Sequence, residues 1–266
     1  MPTLDEHRKK TPAKILLLGP PGSGKTGALA ALANDPDLRQ ELFILDFDNG
    51  LESLSFYVDP DRLSRIHYQT LTDKMKTTPT GVFIPAGRPT ALPRAMKLLD
   101  RWTDGDQDFG PVYSWGPDRT LVIDSLTMLG EAAMRRVLFS NGRNAQDVWQ
   151  ADWGEAMSLQ EGLLEMLFSD AIQCNIVVTA HLVYIGSGAD ESDLIGYPSA
   201  LGRKLPPKTG RYFNTMLLMT ARGSGKTVRR LIRTAPEQHI PLKCPIKDIP
   251  VELPIATGLA TIFKQL

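Results

Sequence analysis

Ile15-Leu-Leu-Leu-Gly-Pro-Pro-Gly-Ser-Gly-Lys-Thr26 is the stretch on which the fold turns. An apolar run of β type, Ile15 to Leu18, meets a glycine-rich loop, Gly19 to Thr26, and an Ala/Leu-rich helical segment, Gly27 to Ala33, follows. Strand, Gly-x4-Gly-Lys-Thr and helix in that order make a phosphate-binding P-loop. A glycine-rich turn that ended in Lys-Thr by accident would lack the flanking strand and helix. Backbone N–H groups of Gly22, Ser23, Gly24 and Lys25 are expected to converge on phosphate oxygens at the helix N-terminus, where the dipole favours an anion. Pro20 and Pro21 have no N–H, but they stand in the early part of the loop. Lys25 is expected to reach the β- and γ-phosphates, and Thr26 to place its hydroxyl on Mg²⁺. With Gly19 opening the loop and Gly27 entering the helix, the expected ligand is ATP with Mg²⁺.

Working outward, the chain alternates short apolar runs with helical patterns, which predicts a mostly parallel sheet flanked by helices. After the P-loop helix, Glu41 to Leu45 reads as a buried strand ending in Asp46-Phe-Asp48. Ile66 to Thr70 is a third strand, Thr72 to Pro93 a loop or small ribbon, and Ala95 to Trp102 a short helix. Asp104 to Arg119 reads as irregular, and Thr120-Leu-Val-Ile-Asp124 as a buried strand. Helices are expected over Met128 to Phe139 and Trp149 to Phe168. In the second, Trp153, Met157, Gln160, Leu164 and Leu167 recur near helical spacing, so Trp149 and Trp153 are read as packing residues. Asn175 to Thr179 is the next strand, ending at Ala180-His181, and Leu182 to Pro207 is read as mainly loop. Tyr212 to Thr220 and Val228 to Thr234 form a C-terminal antiparallel hairpin, and Thr257 to Lys264 a last helical segment. Gly223-Ser-Gly-Lys-Thr227 repeats the end of the P-loop, but the first glycine of the motif would fall on Thr220. A hairpin turn explains it better than a second nucleotide site.

Composition sets bounds. The 266 residues are 42% hydrophobic, ordinary for a globular protein with a sizeable core. One ATPase domain over 14–266 is expected, after a polar tail, 1–13. Thirty basic and thirty acidic side chains cancel, so no global field advertises nucleic acid or membrane, though a local basic loop can still hold DNA. Met1 to Lys14 has no signal-peptide core, and no apolar run approaches the ~20 residues of a membrane span. Cys174 and Cys244 are too few for a disulfide framework and lack zinc spacing, so they read as buried or incidental thiols. A cytoplasmic protein with no membrane partner is expected.

Leu121-Val-Ile-Asp124 reads as the Walker B strand, with Asp124 at its C-terminal end placed to hold Mg²⁺ beside Thr26. In AAA+ ATPases a Glu normally follows that Asp and activates water; here Ser125 follows. The pattern resembles the RecA-like ATPases, which carry Asp-Ser there and put the catalytic carboxylate at the end of the strand after the P-loop helix. The resemblance places Asp48 on that role, with Glu52 as the alternative, and leaves Asp46 as a strand-end residue bonded to local backbone. It sets Ala180-His181 on the pair whose side chain senses the γ-phosphate. Within the group the chain resembles compact phage ATPases of the Sak type, associated with single-strand annealing recombination. Leu45-Asp-Phe-Asp48, Val122-Ile-Asp-Ser125, Thr179-Ala-His181 and Leu201-Gly-Arg-Lys-Leu-Pro206 carry that likeness, from about Lys14 to Pro254. Two features depart from RecA itself: too few residues precede the first strand for RecA's separate polymerising domain, and Gly-Pro-Pro-Gly-Ser-Gly-Lys-Thr is commoner in AAA+ proteins.

The resemblance implies a RecA-like P-loop core that acts on single-stranded DNA as a homo-oligomer in the host cytoplasm. A phage annealase or single-strand binding protein is the implied partner. The DNA loop would be Tyr184 to Arg211: its first half, Gly188 to Asp193, is acidic, and its second offers Arg203, Lys204, Lys208 and Arg211. Tyr184 and Tyr197 are available there for stacking. Arg135, Arg136 and Arg143 lie near the family's other DNA loop and read as helix-surface charges. Among Arg229, Arg230 and Arg233, Arg233 is the expected finger inserted into a neighbour's ATP site. A replicative helicase or helicase-loader motor, or a nucleotide-gated module that recruits a partner, are the alternative functions.

Overall fold

Lys14 to Leu18, the first strand, is buried along four of its five residues, with Leu16 and Leu18 in one core and Ile15 and Leu17 in the other. A strand covered on both faces is what a continuous apolar run specifies. The computed structural model describes residues 11–143, 147–186, 194–237 and 239–266. In chain order the elements begin β1 (Lys14–Leu18), α1 (Lys25–Ala28), α2 (Ala30–Asn34), β2 (Glu41–Asp46), α3 (Glu52–Ser55) and β3 (Ile66–Thr70). A small ribbon, β4 (Met75–Thr77) and β5 (Phe83–Pro85), precedes α4 (Ala91–Asp100), and a second one, β6 (Trp102–Asp104) and β7 (Gln107–Gly110), follows it. Next come β8 (Arg119–Asp124), α5 (Leu126–Ser140), α6 (Gln150–Leu167) and β9 (Asn175–Ala180). The chain continues through β10 (Leu182–Ile185), β11 (Ile195–Pro198), α7 (Pro206–Thr209), β12 (Thr215–Arg222), β13 (Arg229–Arg233), β14 (Glu252–Pro254) and α8 (Ile255–Phe263).

The main sheet has eight strands in the order β14-β13-β12-β1-β9-β8-β2-β3. From β12 to β3 every neighbour is parallel; β12–β13 and β13–β14 are antiparallel. This is the expected α/β architecture, a mostly parallel sheet flanked by helices with a C-terminal antiparallel hairpin, and β9 separates β1, which leads into the P-loop, from β8, which ends at Asp124. One face packs against apolar side chains of α4, α5 and α6, and the other against α1, α2 and α8. Leu18 lies beside Ala180 and Asp46 beside Asp124, so the C-terminal ends of four parallel strands gather at one edge. Open α/β sheets bind ligands at that edge.

Several expectations change. The P-loop helix is two short pieces that meet at Leu29. The stretch from Asp104 to Arg119 is not irregular throughout: β6 and β7 pair, and Trp102, Phe109 and Trp115 pack round Phe43 with ring centroids 4.2–5.3 Å away. Such pairs add ~0.5–1.5 kcal/mol each beyond their buried area. Within Leu182 to Pro207, read as mainly loop, two four-residue strands, β10 and β11, pair antiparallel. Trp149 and Trp153 are 57% and 41% exposed, because the buried stripe of α6 is Asp152, Ala156, Gln160, Leu163, Leu164 and Leu167. Gln160, Leu164 and Leu167 are buried as the helical spacing predicts, and only in the first turns do Asp152 and Ala156 take the inward places expected of Trp153 and Met157. Gly223 to Thr227 is the turn between β12 and β13, as its missing first glycine requires.

Candidate active site

The P-loop leaves β1 at Leu18 and enters α1 at Lys25. Gly24 takes φ +96°, and a Cβ on it would lie 2.7 Å from both Arg230 Cδ and Ile255 Cδ1. Gly19 is crowded in the same way, with Ser23 Oγ and the Met219 carbonyl 2.6 and 2.7 Å from where its Cβ would stand. Gly22 completes the loop, Ser23 Oγ donates to the Pro20 carbonyl at 2.8 Å, and Gly27 lies against Tyr57. The N–H groups that open a helix have no carbonyl partner within it, which leaves them to an anion.

Lys25 is buried, and its ammonium donates to the carbonyls of Gly19 (2.9 Å) and Pro20 (3.1 Å). Burial lowers its pKa, and the carboxylates of Asp124 and Asp48 oppose that shift. The same Nζ lies 3.4 Å from His181 Nδ1. An ammonium can only donate, so this contact is a hydrogen bond only in the tautomer whose imidazole proton sits on Nε2. That nitrogen faces Asp48 Oδ2 at 3.8 Å. Burial, followed by the charge of Lys25, lowers the pKa of His181 and keeps the ring neutral. Asp48 Oδ1 accepts from Ser125 Oγ at 2.7 Å. Lys25, His181, Asp48 and Ser125 therefore form one chain of polar contacts across the ends of β1, β9, β2 and β8.

Asp124 is 1% exposed and both its oxygens are engaged, Oδ2 by Thr26 Oγ1 at 2.8 Å and Oδ1 by Thr179 Oγ1. Burial raises its pKa, with the two hydroxyls working against that. A hydroxyl and a carboxylate at hydrogen-bond distance are hard oxygen donors of the kind Mg²⁺ takes, one or two from protein and the rest from phosphate and water. No cluster of three or more His, Cys, Asp or Glu suited to a metal occurs among the described residues, so a purely protein cage is not what this site offers. The residues fit Mg²⁺, which Thr26 and Asp124 would hold; when bound it would neutralise charge on the phosphates.

The other sequence candidates separate by position. Glu52 opens α3, is exposed, and lines a cleft of about 640 Å³ with Asp46, Tyr68 and Thr70. Asp46 accepts from the Gly50 N–H (3.3 Å) and Thr70 Oγ1 (3.3 Å), and burial raises its pKa. Arg233 pairs within its own chain with Glu252 (2.8 Å) and Glu237 (3.0 Å). The arginine at the P-loop is Arg230, whose Nε donates to the Gly22 carbonyl at 3.1 Å. It belongs to the same sequence cluster, but only strand register separates it from Arg233.

Arg203, Lys204 and Lys208 are exposed, whereas Arg211 pairs with Glu161 (2.9 Å) and Glu165 (3.4 Å). Tyr184 on β10 is exposed and Tyr197 on β11 half-buried; Gly188 to Asp193 lie outside the described residues. Arg143, partly buried, pairs with the buried Asp152 rather than standing as a free surface charge, and Arg135 lies 3.9 Å from Asp73. The segment reaching Arg211 is tied to the site through backbone: Ser199 N–H donates to the His181 carbonyl at 2.7 Å, and Leu201 N–H to Gln160 Oε1 at 2.9 Å. Thr127 Oγ1 donates to the Ser199 carbonyl and accepts from the His181 N–H, at 3.0 and 3.2 Å. Thr127 escapes sequence reading because it belongs to no motif, and helical spacing reads Gln160 only as a packing position. Thr179 is detectable from its place two residues before His181 on a strand.

No curated protein matches the sequence. Among solved structures the chain is similar to the RadB recombinase (14% identity, 86% of this chain and 85% of that one, TM-score 0.41). A KaiC-like protein from the archaeon Pyrococcus horikoshii matches at 13% identity over 83% and 77% of the two chains, TM-score 0.40. An ATPase of the type III secretion system of pathogenic bacteria matches at 16% identity over 79% of this chain and 52% of that one, TM-score 0.43. Among the described residues, no helix is long and apolar enough to cross a membrane. A family model described as an AAA domain matches residues 11–245, a span that takes in the P-loop, Asp48, Asp124 and His181, and the chain belongs to that AAA-domain family.

Proposed function

We propose that this AAA-domain ATPase of RecA-like fold hydrolyses ATP with Mg²⁺ and acts on single-stranded DNA in phage-type recombination, by annealing or strand pairing. The observation that supports the reading most is the polar chain Lys25–His181–Asp48–Ser125. It sets a carboxylate, a neutral imidazole and the P-loop ammonium side by side. Asp48 takes the proton of the attacking water. Lys25 and the loop N–H groups hold the β- and γ-phosphates, and neutral His181 reports their presence to β9. That strand end is hydrogen-bonded through Ser199 and Thr127 to the segment carrying Arg203, Lys204 and Lys208, the proposed contact for DNA phosphates. Homo-oligomerisation and a phage annealase or single-strand binding protein as partner belong to the same reading.

The test is steady-state ATP turnover alone, with single-stranded DNA and with duplex DNA. Stimulation by single strands, with annealing and no unwinding, supports the proposal. Directional unwinding would point instead to a helicase or loader motor. Negligible turnover with nucleotide-dependent partner binding would point to a gated module, and indifference to DNA would leave an ATPase of another process.

A further inference from the structure

Ser125 occupies the place where AAA+ proteins carry their own base, and its hydroxyl is committed in both directions. Oγ donates to Asp48 Oδ1 at 2.7 Å and accepts from the Met128 N–H at 3.4 Å, which makes it the N-cap of α5. The residue is completely buried. A hydroxyl has one hydrogen to give, and here it goes to Asp48. The Asp48 backbone is held to the same strand end, since its N–H donates to the Asp124 carbonyl at 3.2 Å. With Oδ1 engaged, Oδ2 is the oxygen turned toward His181. Asp48 is followed by Asn49 at φ +54°, so the side chain stands on a turn and not inside a strand. An aspartate is also one methylene shorter than a glutamate, which makes its carboxylate reach less far and its aim matter more.

We infer that Ser125 is a positioning residue for hydrolysis: its hydroxyl fixes the carboxylate plane of Asp48 and so aims the free oxygen at the attacking water. The inference rests on Asp48 as the base, and it explains in physical terms what the Asp-Ser ending does. The cap to α5 supplies rigidity, because the same oxygen is anchored to a fifteen-residue helix. Misaligning a reacting group by an ångström costs on the order of 10²-fold in rate.

The test compares Ser125→Ala, Ser125→Thr, Asp48→Asn and the Ser125→Ala/Asp48→Asn double variant. The readouts are kcat, KM for ATP, affinity for a fluorescent ATP analogue and thermal midpoint. Ser125→Ala is expected to lose ~10- to 10²-fold in kcat with KM and analogue affinity unchanged. Ser125→Thr, which keeps a hydroxyl, should recover most of that loss. In the Asp48→Asn background, Ser125→Ala should cost nothing further. Should the alanine variant fail to fold for want of the cap, Ser125→Cys fills the site with a poor donor and is expected to show the same kcat loss. Wild-type kcat in Ser125→Ala while Asp48→Asn is dead overturns the positioning role and leaves the base intact. An undiminished loss in the double variant overturns it too, because Ser125 would then act without Asp48. Normal turnover in Asp48→Asn removes the base itself, and the inference falls with it.

Discussion

Lys25 and Asp48 divide the work of the site, and single substitutions separate them. Lys25→Ala removes the buried charge aimed at the phosphates, so tight ATP binding is expected to be lost, as measured by calorimetric titration; unchanged affinity and turnover would remove the P-loop assignment. Asp48→Asn keeps shape and loses basicity, so nucleotide still binds while turnover falls by ~10²–10⁴-fold. Glu52→Gln, out on α3 beside the neighbouring cleft, should hydrolyse normally. A dead Glu52→Gln beside an active Asp48→Asn would move the base by four residues. At this scale the P-loop is fully legible in the sequence, because a phosphate cradle demands particular residues at particular spacing. Asp48 is legible only through the family resemblance, and its contacts with Ser125 and His181 need strand ends brought together from four parts of the chain.

Elements decide what the arginines do. Arg233 on β13 is bonded to Glu252 on the edge strand β14, and Arg230, three residues earlier, leans on the P-loop. Arg233→Ala should therefore lower the thermal midpoint by loosening the β13–β14 pairing and leave ATP affinity nearly unchanged. Arg230→Ala should do the reverse. Melting curves with and without nucleotide read both, and recovery of turnover on mixing Arg233→Ala with Lys25→Ala protein, which pairs an intact P-loop with an intact Arg233, would restore Arg233 as a finger. In α6 the same logic applies to Asp152, which accepts from the Trp149 N–H at 2.8 Å and is held down to about 2 chiefly by hydrogen bonding from Arg143. Its folded pKa lies below the ordinary 3.8, so its stabilisation is complete above that value and is lost as pH falls toward about 2. Asp152→Asn should flatten the melting temperature's dependence on pH between those limits. A slope identical to wild type there would take the pair out of the stability account. Helical periodicity locates α6 correctly, but it cannot show that this buried acid, rather than Trp153, faces inward.

The whole molecule links His181, beside the P-loop, to the exposed basic segment through hydrogen bonds and not through motifs. If single-stranded DNA binds that segment, neutralising Lys204 and Lys208 together should weaken binding and reduce the salt slope by ~0.7 for each phosphate no longer neutralised. Basal ATP affinity should survive, since both lysines stand apart from the P-loop. Arg211→Ala should matter less, because Glu161 and Glu165 already neutralise it. Fluorescence anisotropy over a range of salt concentrations checks all three; a salt slope unchanged in the double variant would move the DNA-binding surface elsewhere.

Sequence alone determined the strand-loop-helix of the P-loop, the parallel sheet and the Walker B aspartate. Each of these is local or periodic: backbone geometry and burial impose the residue types within a few positions. Tertiary structure alone decided that β9 lies between β1 and β8, which brings Thr179 onto Asp124 and His181 between Lys25 and Asp48. It likewise chose Arg230 over Arg233 at the P-loop and gave Ser125 its bond to Asp48 across 77 residues of chain. Strand order and register are set by the packing of both sheet faces at once, a property of the assembled core that no short stretch of sequence contains.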